Sequence, residues 1–240
     1  KNLGWNMALV SLGILIVLVS VPLALFVKDS PSKTDVTIAP EPAVPIKNIL
    51  RNRNLYLLAL GSMCSIGAVG GINQHLKLYL KDLSMADSAI ANTISLVAFS
   101  SLAGRVIMGW LADIFPRKYV MILIYLLVGG TIPLLLMPDF PGRLYIFAVI
   151  FGLGLGGDYM IIPLMAGDLF GVRTLGRVMG IVLVADGIAE AGLPVLVGHL
   201  FDINGSYMYG FIILIGLALI GTLVVSFLPK RKQETIAASV

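Results

Sequence analysis

The run LYIFAVIFGLGLGGDYMIIPLMAG, Leu144–Gly167, is 24 residues long and carries one charged side chain, Asp158, near its middle. A helix rises 1.5 Å per residue, so about 20 apolar residues cross the hydrocarbon core of a bilayer. This run is long enough to span. Its lone acid costs roughly 2.5–3.5 kcal/mol at that depth unless water or a partner meets it. The stretch therefore predicts a membrane helix with a functional interior.

Outward from it, the same pattern recurs between clusters of charge. Asn2–Val27 is uncharged, Asn54–Leu76 is interrupted only by His75, and Ser88–Leu111 carries Arg105 alone. Tyr119–Pro138 carries no charge, Val178–Phe201 holds Asp186, Glu190 and His199, and Ile203–Pro229 is uncharged. The reading is an all-α polytopic membrane protein with seven transmembrane helices. The composition agrees: 58% of residues are hydrophobic and 12% charged, against about 25% charged in soluble domains. A soluble globular enzyme, a disordered chain and a nucleic-acid-binding domain are excluded. The single cysteine, Cys64, excludes a disulfide framework and a Cys-based zinc site.

The first run is too long for the apolar region of a signal peptide, and no A-x-A-like cleavage site follows it. It reads as a span. The Pro-rich, charged segment after it (Pro31, Pro40, Pro42, Pro45) predicts an extended linker. Four parts follow: a lone helix over 1–27, a linker over 28–53, a six-helix block over 54–229 and a tail over 230–240. The chain starts at Lys1 rather than Met, which points to part of a longer protein.

Orientation follows from the positive-inside rule. The linker (Lys28, Lys33, Lys47, Arg51, Arg53), Arg117 with Lys118, Arg173 with Arg177, and Lys230 to Lys232 put twelve basic residues on one side. The other side has four: Lys1, Lys77, Lys81 and Arg143. Linker and C-terminus are expected in the cytoplasm, and the protein in a plasma or inner membrane. Trp5 and Trp110 fit interfacial anchors.

Arg105, Asp158 and Asp186 then lie roughly 10–14 Å in from the cytoplasmic surface, at 1.5 Å per residue. Glu190 stands one turn beyond Asp186 on the same face. Charges of opposite sign at one depth can pair, and two carboxylates on one buried face do not both ionise easily. A proton-accepting acid beside a fixed guanidinium is what a proton-coupled anion site requires. Arginine suits a carboxylate because its planar fork donates two parallel hydrogen bonds. A static salt bridge locking two helices is the plainer reading, but four charges of mixed sign exceed what one lock needs. Asn73, Gln74 and His75 add a polar cluster near the outer end of the second span, and His75 is a candidate proton or substrate contact.

Spans four and seven have no ionisable core group except tyrosine, so they can face lipid while spans two, three, five and six line a path. This pattern repeats every three helices. Gly67 and Gly71 are one turn apart and allow close helix packing. Gly152, Gly154 and Gly157 formally match G-x-G-x-x-G, but they lie mid-helix with no preceding strand, so no dinucleotide cofactor is implied. They read instead as a flexible, thin stretch. Pro163 and Pro194 free backbone carbonyls that a cavity can use.

The segment Gly104-Arg105-Val-Ile-Met-Gly109-Trp-Leu-Ala-Asp113-Ile-Phe-Pro-Arg117-Lys118 resembles the major facilitator superfamily. It is similar to the G-x-L-A-D-R-x-G-R-K signature between helices 8 and 9 of twelve. Gly109, Leu111, Ala112, Asp113, Arg117 and Lys118 match, whereas Ile114 and Pro116 replace Arg and Gly. The resemblance implies that this loop's charges stabilise one of two alternating conformations. The chain further resembles the monocarboxylate transporter and oxalate/formate antiporter branch. The residues that carry this are Gly4-Trp5, His75 with Leu80-Lys81-Asp82, Gly156-Gly157-Asp158 with Asp168-Leu-Phe170-Gly171, Leu175-Gly176-Arg177, and Gly198-x-x-x-Asp202-x-x-Gly205-Ser206-Tyr207.

That resemblance implies helices 6–12 of a twelve-helix carrier, with five N-terminal helices missing, and identifies Arg105 with the branch's carboxylate-binding arginine. Ser101 stands where monocarboxylate carriers often place an acid. Nothing basic except His199 lies between Arg177 and Asp202, where oxalate carriers add a lysine. The expected function is transport of a small organic anion, a monocarboxylate, with protons, by alternating access, with the lipid bilayer as surroundings. Candidate substrate residues are Arg105, Asp158, Asp186, Glu190 and His75. A non-transporting sensor or scaffold of the same fold is the rival. No HExxH or GxSxG motif supports an enzyme, and no cofactor or metal is called for.

Overall fold

A computed structural model describes residues 5–26, 45–137, 140 and 142–230. All regular structure among them is helical, and seven helical segments are long and apolar enough to cross a membrane. The chain divides into two compact units, Lys1–Pro42 and Ala43–Val240.

The described part of the first unit is α1, Trp5–Phe26. It is apolar all round, as a lipid-immersed helix is. Its serine hydroxyl at Ser11 donates to the Met7 carbonyl at 2.8 Å, which satisfies a polar group without water.

In the second unit, α2 spans Ile46–Leu50, α3 Arg53–Asp82, α4 Asp87–Ile114, α5 Arg117–Thr131 and α6 Pro133–Leu136; α7 spans Arg143–Phe170, α8 Leu175–Asn204 and α9 Met208–Ser226. A helical turn at 46–50, with Ile49 buried, stands in a stretch read as extended linker. Residues 28–44 and 231–240 lie outside the described residues. Helices α3, α4, α7 and α8 overrun their apolar runs by about a turn or more, whereas α1 and α9 stop within theirs. Lys77 and Lys81, which end the second run, are exposed on the last turns of α3, where long side chains reach water while the backbone stays helical. Pro133 has no N–H to donate, and the fourth span breaks there into α5 and α6.

Helix α3 packs mainly on α8 and α9, and α7 mainly on α4 and α5, while α5 meets α9. Exchanging α3–α4–α5 for α7–α8–α9 maps these contacts onto one another. The three-helix repeat expected from the charge pattern is therefore built into the packing. Glycine makes both main crossings possible. A Cβ on Gly156 of α7 would stand 1.9 Å from the Ser101 carbonyl of α4, and one on Gly70 of α3 would stand 3.2 Å from Cγ of Glu190 on α8. The glycine-rich stretch of α7 is thus a tightly seated helix rather than a flexible one. Helices α3 and α7 are central, and α4 and α8 bury only one face each.

Candidate functional site

The centre of the second unit is polar. Ser62 and Ser65, three residues apart on α3, present both hydroxyls to one side of the helix. Ser65 Oγ donates to Asp158 Oδ2 on α7 at 2.6 Å, and Ser62 Oγ donates to Asp186 Oδ1 on α8 at 2.6 Å. One helix thereby holds two aspartates from two others. Asp158 is 0% exposed and Asp186 5%. The second Asp158 oxygen, Oδ1, is buried without a partner. Tyr125 of α5 is also 0% exposed, its hydroxyl is unpartnered, and it lies in electrostatic reach of both aspartates.

Glu190 is exposed one turn beyond Asp186, and its Oε1 accepts a hydrogen bond from the Tyr159 hydroxyl of α7 at 3.0 Å. Of the four intramembrane charges, the three acids therefore gather around α3, α7 and α8. Arg105 does not join them. It is exposed on α4 and forms no ion pair among the described residues. The cause is helical geometry: Gly156 turns toward α4, while Asp158, two residues on, is rotated by about 200° and faces α3. The expected pairing of the guanidinium with an acid is absent for that reason.

His75 sits half-buried toward the C-terminal end of α3. Its Nε2 lies 2.9 Å from the Pro194 carbonyl of α8, and its ring is 5.5 Å from that of Tyr207. It ties α3 to the interior of α8 and to the start of α9, and it forms no hydrogen bond to the acids among the described residues. His199 is exposed on α8, and Cys64 is buried against the α9 crossing at Gly221.

At the other end, the signature loop forms an ion pair with α7. Arg117 Nη1 donates to Asp168 Oδ1 at 2.7 Å and to the Leu164 carbonyl at 3.2 Å, tying the start of α5 to the end of α7. Asp113 is exposed, and Gly109 and Lys118 are half-buried. Trp110 is exposed, as an interfacial anchor would be; the Trp5 side chain lies outside the described residues.

Reading the residues in order missed Ser62, Ser65, Tyr125 and Tyr159. The serine spacing was visible in Gly61–Ser62–Met63–Cys64–Ser65, but small hydroxyl residues are common in packed membrane helices. Nothing in the sequence marks a tyrosine whose hydroxyl points inward.

A profile of the Major Facilitator Superfamily matches residues 58–239. Monocarboxylate transporter 13 of Rattus norvegicus is 29% identical over 162 residues, covering 65% of this chain and 37% of that one. Monocarboxylate transporter 14 of Homo sapiens is 30% identical over 138 residues, covering 56% and 27%. A probable transporter, MCH1, of Debaryomyces hansenii is 25% identical over 162 residues, covering 65% and 33%. These relatives are named as transporters, not enzymes, and the chain spans about a third of their length. The inward open structure of the xylose transporter XylE from E. coli superposes with a TM-score of 0.56 at 16% identity, over 78% of this chain and 48% of that one. At that identity the likeness concerns the fold.

Proposed function

The chain belongs to the Major Facilitator Superfamily, and on that premise we propose that it forms the C-terminal part of a secondary active transporter for a small organic anion. The substrate is a monocarboxylate, moved with protons by alternating access. Residues 54–229 are the C-terminal six-helix half, 1–27 the last helix of an N-terminal half whose other helices complete the carrier, and 28–53 and 230–240 cytoplasmic segments. The membrane is a plasma or inner membrane.

One observation supports this reading: among the described residues the Arg105 guanidinium, in a span, has no ion-pair partner although three acids sit in the same bundle. A permanent cation at membrane depth is costly alone, and an anionic substrate supplies the missing charge. In this reading Arg105 holds the carboxylate by two parallel hydrogen bonds. Asp186 or Glu190 carries the proton, with Asp158 as a further acid. The monocarboxylate transporters among the relatives lend support to the substrate class.

The test is uptake of radiolabelled lactate by the full-length protein in liposomes, with and without an inward proton gradient. Uptake should rise with the gradient and be lost in Arg105→Ala. Unchanged uptake and pH dependence in that variant would show that the arginine has been wrongly assigned.

A further inference from the structure

The three acids form a series of increasing burial. Glu190 is exposed, Asp186 is 5% exposed and Asp158 is 0% exposed. Glu190 lies in electrostatic reach of Asp186, and Asp186 in reach of Asp158. The innermost member also has an unused atom, Oδ1, closed off from solvent. We infer that Glu190, Asp186 and Asp158 are a proton relay, and that Asp158 at its inner end is where the transported proton rests. The inference depends on the proton-coupled reading above but moves the proton's resting place from Asp186 or Glu190 to Asp158, leaving the first two as its path.

The surroundings of Asp158 decide this. From α3 it accepts from the Ser65 hydroxyl, while the Asp186 carboxyl of α8 and the Tyr125 hydroxyl of α5 lie in electrostatic reach of it without a hydrogen bond. Helix α4 packs on another side of α7 through Ser100 and Ser101, and no Lys, Arg or His among the described residues pairs with Asp158. An ion in such a place keeps one oxygen without a donor, and burying an unpaired charge costs several kcal/mol. Taking up one proton on Oδ1 removes that charge. The new O–H then needs an acceptor; the Tyr125 hydroxyl, buried and likewise without a partner, is in electrostatic reach but makes no hydrogen bond to it, so the two side chains must shift to meet. Uptake proceeds by proton exchange alone: the Glu190 carboxylate takes a proton from water, passes it one turn along α8 to Asp186, and Asp186 passes it to Asp158. Release retraces the route when Glu190 faces the other solution.

Infrared spectroscopy of the full-length protein in liposomes reads this directly. A protonated carboxyl C=O band should be present in the wild type at low pH, fade as pH rises and be missing from Asp158→Asn. Ser65→Ala, which removes the donor on Oδ2, should move the same band and serves if Asp158→Asn does not fold. Glu190→Gln should keep the band at equilibrium but slow its return after a pH jump. A band unchanged in Asp158→Asn, or unmoved by Ser65→Ala, overturns the assignment. A band that behaves as expected without any lactate uptake supports the relay and sinks only the monocarboxylate reading.

Discussion

The Tyr159 hydroxyl and the Glu190 carboxylate are joined at 3.0 Å across the gap between α7 and α8, and each residue stands four places before a proline inside its helix, Pro163 and Pro194. Proline offers no N–H, so the carbonyls of Tyr159 and Glu190 both lose their helical donors. Two helices are weakened at the residues that hold them together. A bending point beside an exposed acid suits a carrier in which helices tilt around a site, since kinks concentrate where the hydrogen-bond ladder is interrupted.

Removing that link should alter coupling more than stability. Tyr159→Phe deletes one hydrogen bond to an exposed carboxylate, worth at most about 1 kcal/mol. The unfolding temperature in detergent should barely move, while the pH profile of lactate uptake should shift. An unaltered profile would remove Glu190 from the proton path.

The Ser65–Asp158 bond lies inside the bundle, so its loss should be felt as stability. Ser65→Ala leaves a buried carboxyl with neither oxygen bonded, at a cost of about 0.6 kcal/mol by the average for side-chain hydrogen bonds between membrane helices. Ser65→Thr, which keeps a hydroxyl, should recover part of it. Denaturant unfolding of the purified protein compares the two.

Arg105 should behave in the opposite way. It has no ion-pair partner to lose among the described residues, so Arg105→Ala should change stability by less than about 0.5 kcal/mol, as surface substitutions do. Lactate binding, measured by calorimetry, should vanish. A large loss of stability would mean that the arginine holds the structure instead.

At the α4–α7 crossing the expected effect is steric. Gly156→Ala puts a methyl group 1.9 Å from the backbone oxygen of Ser101, which can move only with its helix. Overpacking of this kind costs about 1–3 kcal/mol or more. Gly167→Ala, on the same helix, meets nothing within 4 Å and should be tolerated. Expression level and melting temperature separate the pair.

The Arg117–Asp168 pair is about a quarter exposed on each side. In a double-alanine cycle its coupling should be no more than about 1 kcal/mol, the usual range for partly solvated pairs. If the signature loop also selects a conformation, Arg117→Ala should change the rate of uptake by more than that stability loss explains.

The helices and their number were legible in the chain because hydrocarbon tolerates so few sequences: a run of apolar residues between charges has one stable form, the spanning helix, which satisfies its own backbone. The three-helix repeat could be read for the same reason, since the acids and the arginine fall in spans three, five and six. What those charges meet was not legible. Asp158 and Asp186 find Ser62 and Ser65 across 93 and 124 residues of sequence, and only the crossing of α3 with α7 and α8 brings them together. The same holds for the absence, among the described residues, of an ion pair between Arg105 and the acids. Depth along a helix follows from counting residues, but the direction a side chain faces depends on which neighbour the helix packs against, and that is settled by glycines such as Gly156 and Gly70 only once the partners are in place.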